Sequence, residues 1–150
     1  MREMRSATVV ILLLIPLLFV LASPSLAEQG REYIQVQEVT MSLEDGDAVF
    51  DVLFDLDPLA RLYVLALGSK YIEPELIDLF SDFDNVTVRR TKPQRAVLVS
   101  KGAGEFRSGY YLYDSRQLRH QVPKLTIVYP ERLSRTFYKV SATPSVFSEA

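Results

Sequence analysis

The 150-residue chain carries 17 Lys and Arg against 19 Asp and Glu, with 48% apolar and 24% charged residues. That balance suits one ordinary globular domain, excludes a disordered chain and argues against a nucleic-acid partner. The absence of Cys excludes disulfides, thiolate metal sites and thiol nucleophiles, and the single His120 excludes any site built on two imidazoles.

The first segment reads as an address. Arg2 and Arg5 form a basic start, and residues 7–22 form an uncharged apolar run interrupted by Pro16. Its sixteen residues fall short of the roughly 20 that cross a bilayer as a helix. Pro24, Ser25 and Ala27 supply the turn and the small residues of a cleavage site. The order predicts a secretory signal peptide over residues 1–27, with the mature chain beginning at Glu28. The alternative is an uncleaved signal anchor. Either way the domain is expected outside the cytoplasm, secreted or tethered to the outer face of the cytoplasmic membrane, with the membrane reached only through an uncleaved N-terminal segment.

Ile34, Val36, Val39, Met41 and Leu43 alternate with one slip of phase near Glu38, which predicts a strand with a bulge. The turn Glu44-Asp45-Gly46-Asp47 leads into a second strand, where Ala48, Phe50, Val52, Phe54 and Leu56 form the apolar set. These two strands are expected to form a hairpin. Asp57 as cap, Pro58 at the first position and Gly68 in the left-handed conformation frame a helix. A second helix is expected from Pro74, with Leu76, Leu79, Phe80 and Phe83 on one face. Strand candidates follow at 86–90, 96–100, 109–113, 125–129 and 135–140, with a loop opened by Gly102 and Gly104. The fold class is α+β: an N-terminal hairpin, two helices, then several mainly antiparallel strands in a single domain over 28–140. Residues 141–150 show no periodicity and are expected to fray.

Residues 59–67 are apolar on nearly every side. Leu59, Leu62, Tyr63 and Ala66 fit one inward stripe, which leaves Ala60, Val64, Leu65 and Leu67 in need of cover. Either the second helix and the last strands close over them, or a contact patch remains.

Candidate chemistry is sparse. Asp51, Asp55 and Asp57 alternate on one strand face, so their carboxylates can converge on a hard cation or make a glycosidase pair with a neighbour such as Glu44 or Asp47; a solvated face is the plainer reading. His120 with Asp114 and Ser115 has the residue types of a triad, in what reads as a polar loop over 116–120. Asp82-Phe83-Asp84-Asn85 reads as a helix exit rather than a metal loop. Arg89, Arg90, Lys92 and Arg95 place four cations in seven residues, suited to an anionic polymer or headgroup, or to protecting a sheet edge. Tyr111 and Tyr113 share one face and Tyr110 takes the other, as cross-strand packing requires. Asn85-Val86-Thr87 is a glycosylation sequon at a surface junction. No motif calls for a cofactor or a metal.

The stretches Leu62-Tyr63-Val64-Leu65-Ala66-Leu67-Gly68-Ser69 and Ser108-Gly109-Tyr110-Tyr111-Leu112-Tyr113-Asp114-Ser115 resemble small uncharacterised secreted proteins of methanogenic archaea. The resemblance implies an envelope setting and supplies no activity and no site residue. The reading that follows is a non-enzymatic extracytoplasmic module contacting an envelope protein or polymer. The alternative is a polysaccharide hydrolase using Asp51, Asp55 and Asp57.

Overall fold

The computed structural model describes residues 33–150. The address segment, residues 1–27, lies outside the described residues, among which no helix is long and apolar enough to cross a membrane.

Strands β1 (Ile34–Glu44) and β2 (Asp47–Leu56) pair antiparallel. Asp45 and Gly46 turn between them with φ of 45° and 87°. Positive φ at both central positions gives the turn a twist that matches the strands, and Gly at the second adopts it without steric cost. The register shifts between Val36, opposite Phe54, and Glu38, opposite Leu53. The extra residue, Gln37, is the physical form of the phase slip, and it lets both apolar halves of β1 face one core.

Helix α1 (Pro58–Leu67) follows, with the Asp57 carboxylate accepting the Ala60 amide at 2.6 Å. Gly68 ends it at φ 89° and ψ 166°, an extended mirror-image conformation open to glycine rather than the expected left-handed helical one. A 3-10 turn (Ser69–Ile72) and helix α2 (Glu73–Leu79) complete the helical layer. Leu76, Leu79, Phe80 and Phe83 are all buried, although α2 ends before the last two. Phe50 of β2 stacks on Phe80 at 4.2 Å and meets Phe83 edge-on at 4.9 Å.

The second half supplies β3 (Val86–Lys92), β4 (Arg95–Ser100), β5 (Gly104–Arg107), β6 (Tyr110–Tyr113), β7 (Gln117–Val128), β8 (Ser134–Ala142) and β9 (Val146–Glu149). A six-stranded sheet runs β3-β4-β2-β1-β7-β8, and a three-stranded sheet runs β5-β6-β9. All the pairs are antiparallel except β1 with β7, where Val39 lies beside Leu125 and Met41 beside Ile127. The domain is thus mixed α+β and rich in sheet.

The structure departs from the sequence expectation at two places. The stretch 141–150 does not fray: Val146–Glu149 pairs with β6, and Thr143 binds back to Arg116 through its amide at 2.9 Å. The Gly102 and Gly104 region is not only a loop, since Gly104–Arg107 forms β5.

The small sheet docks on the β1–β2 turn through two tyrosines. The Tyr113 hydroxyl accepts the Gly46 amide at 3.1 Å and donates to the Asp47 carbonyl at 3.2 Å. A Cβ on Gly104 would stand 2.8 Å from the Tyr113 ring, and one on Gly46 would stand 2.8 Å from Tyr111. Glycine at both positions is what allows the rings to lie against backbone.

Candidate functional site

The carboxylates of β2 do not converge. The face opposite Phe50, Val52 and Phe54 carries Asp51, exposed Leu53 and Asp55, as alternation requires. Asp51 is held by Arg95 in a two-pronged ion pair, with Nε to Oδ1 at 2.8 Å and Nη2 on Oδ2. Gln37 reaches Asp55 at 3.5 Å, and Asp57 serves as the helix cap. Each carboxylate therefore has its own structural engagement. Two clefts stand out among the described residues, one bounded by Tyr129, Leu133 and Phe147, the other by Asp82, Gln117 and Arg119. Neither includes Asp51, Asp55 or Asp57.

Residues 117–120 belong to β7 rather than to a polar loop, so His120 lies on extended backbone, roughly 10 Å of strand from Gln117 at about 3.3 Å per residue. The Ser115 amide is bonded to the Ser145 hydroxyl at 3.1 Å. Asp82 accepts the Gln117 amide at 2.7 Å, and Arg116 reaches Asp84 at 3.6 Å, which gives both acids of the helix exit a bracing role.

Asn85 is exposed at the junction of the helical layer and β3, with φ of 51°. Asparagine tolerates that left-handed backbone better than most residues, so the position has a local conformational reason beside the sequon. Thr87, the third sequon residue, is also exposed.

The basic residues lie on the β3–β4 hairpin. β3 is an edge strand with a register shift between Val88 and Arg90, which makes Arg89 the bulged residue. Bulge, cations and Pro93 together are the usual protection of an edge against pairing. Arg95 is engaged by Asp51, whereas Arg89, Arg90 and Lys92 are exposed and make no ion pair among the described residues.

Helix α1 is the most unusual surface. Only Ala60 and Val64 are buried in it, so the inward stripe is the i, i+4 pair and not Leu59, Leu62, Tyr63 and Ala66. Leu62 is 62% exposed, Leu65 83% and Leu67 64%. Leu59, Tyr63 and Tyr71 are also exposed, and the Tyr63 and Tyr71 rings stack at 5.2 Å. The second helix does not close over this face, and Phe80 and Phe83, which follow it, pack on Phe50 of β2 instead. Sequence reasoning identified the segment and assigned the wrong stripe. The small size of Ala60 and the β-branching of Val64 were the signals for the close-packed side.

No protein-family model, curated protein or solved structure matches the chain.

Proposed function

We propose that this chain is a non-enzymatic module of the cell envelope, directed outside the cytoplasm by residues 1–27, that works by contact. The observation that supports this reading is the uncovered apolar face of α1. Covering Leu62, Leu65 and Leu67, each about two-thirds exposed or more, would gain roughly 4 kcal/mol at about 2 kcal/mol per fully buried side chain. A domain that buries Phe50, Phe54 and Phe80 almost completely, yet leaves that gain unused, presents a surface for another body.

The test is a photo-crosslinking residue placed at Leu65 of the full chain in cells, with Glu131 as control. An envelope adduct from position 65 alone, abolished by Leu62→Asp, supports the reading. Equal adducts from both positions, or none from 65, overturn it. An adduct confined to cytoplasmic components overturns the extracytoplasmic part.

A further inference from the structure

We propose that the body covering α1 is the surface of an anionic lipid bilayer, an inference that rests on the contact reading above. The relevant groups gather at one end of the large sheet. There β1 begins and β2 ends, with Ile34 opposite Leu56, and there the β3–β4 loop turns, with Leu53 opposite Arg95. Both ends of α1 are fastened to this region. At its start the Asp57 amide bonds the Tyr33 carbonyl at 3.1 Å, and nearby Phe54 donates its amide to Gln94 of the loop at 3.1 Å. Beyond its end, Ser69 reaches the Thr91 carbonyl at 3.4 Å, and Thr91 donates to Glu73 at 2.9 Å. Leucines and cationic residues therefore share one end of the domain.

The side chains there have the chemistry of an interfacial helix. Leu59, Leu62, Leu65 and Leu67 suit the acyl boundary, and the stacked Tyr63 and Tyr71 suit the headgroup level. Arg61 and Lys70 stand exposed on the same segment. Arg90 and Lys92 flank Thr91; because Thr91 turns toward the helical layer, they project from the other side of the hairpin. Four acids share this end: Asp51 is paired with Arg95, Asp57 caps α1, Glu73 accepts from Thr91 and Asp55 accepts from Gln37, against the cations Arg61, Lys70, Arg89, Arg90, Lys92 and Arg95. The opposite end, at the β1–β2 turn, carries Glu44, Asp45 and Asp47, with Lys101 paired to Asp47 at 3.7 Å. Charge thus orients the domain with α1 toward a negative surface, although the whole chain is net acidic at -2. A second copy fits less well. A two-fold contact through α1 would bring Arg61 and Lys70 of both copies to one interface.

Because the chain has no cysteine, one introduced thiol can carry an environment-sensitive fluorophore without interference. The full chain is labelled at Leu65→Cys or, as control, at Glu131→Cys. It is mixed with vesicles of phosphatidylcholine alone or in equal mixture with phosphatidylglycerol, each containing a quencher attached to the acyl chains. The expected result is a blue shift and quenching at position 65 in the mixed vesicles only, with no change at position 131. Arg89→Ser, Arg90→Ser and Lys92→Ser together should weaken this response about a hundredfold, at roughly fivefold for each cation near a charged surface. Salt at about 1 M, where the screening length is about 3 Å, should do the same. Absence of lipid quenching at 65, or quenching unaffected by the triple variant, overturns the proposal. A shift that grows with protein concentration without vesicles assigns the face to a second copy and also overturns it. A protein adduct from position 65 in cells, without lipid quenching, rejects the bilayer and leaves the contact reading standing.

Discussion

Replacing Tyr113 by Phe removes one oxygen atom from the joint between the two sheets. The ring is 1% exposed, so it keeps its packing against Gly104 while the Gly46 amide and the Asp47 carbonyl lose their shared partner. Leaving such groups unsatisfied costs about 1–3 kcal/mol. At roughly 4 °C per kcal/mol for a domain of this size, the melting midpoint should fall by about 4–12 °C near neutral pH. The same hydroxyl makes a second, independent forecast. Burial pushes its pKa up to about 12 from the ordinary 10.0, with the nearby Asp47 and Asp45 charges adding to the rise against the Gly46 hydrogen bond. In the unfolded chain Tyr113 ionises first, so its contribution is whole below pH 10 and is lost as pH climbs from 10 toward 12. The loss is about 1.4 kcal/mol for each pH unit in that window, or roughly 2.7 kcal/mol in all. The Phe variant has no such limb, so the stability advantage of the wild type should shrink steadily above pH 10. Urea unfolding of both proteins at about pH 7, 9 and 11 measures the difference, and ionisation of the other tyrosines largely cancels in it. Two alkaline limbs that run parallel would refute the reasoning.

Val64→Asp should unfold the domain, because a buried unpaired charge costs several kcal/mol, whereas Leu65→Asp one residue away should stay within about 0.5 kcal/mol of wild type by thermal melting. Gly104→Ala should cost about 1–3 kcal/mol, since the new methyl meets the Tyr113 ring and the ring cannot retreat; an unchanged urea midpoint would show that it can. Asp57→Ala should cost about 1 kcal/mol through the lost α1 cap, with Asp57→Asn recovering most of it. In a host that glycosylates exported proteins, Thr87→Ala should lower the intact mass by one glycan and leave the left-handed backbone of Asn85 undisturbed; equal masses would mean the sequon is silent.

The parts of this fold legible in the sequence were those written by local rules. The skipped beat near Glu38 became the Gln37 bulge, because a period of two allows no other way to keep Val36 and Val39 in one core. Asp57 and Pro58 marked the start of α1 for reasons confined to its first turn. What was not legible depended on partners distant in the chain. β9 has four residues, and Val146 and Ser148 are inward only because β6 lies beside them. β5 is strand only opposite β6, with Gly104 chosen by the Tyr113 ring rather than by a loop. The orientation of α1 was misassigned for the same reason: a segment apolar on nearly every side offers several candidate stripes, and the core it packs into takes Ala60 and Val64. The carboxylates of β2 were placed on the correct face, but the claim of Arg95 on Asp51 comes from β4 and has no trace in β2.

The parallel pairing of β1 with β7 sets the order in which the molecule can be completed. β1 has β2 available almost at once, but its other edge stays open until the segment around Leu125 and Ile127 exists. Most of the chain therefore precedes the segment that closes the central strand on its second side. Closing a loop of that length makes the final step slow compared with hairpin formation. The central strand is closed on both sides only by residues 125–128, which lie in the last quarter of the sequence.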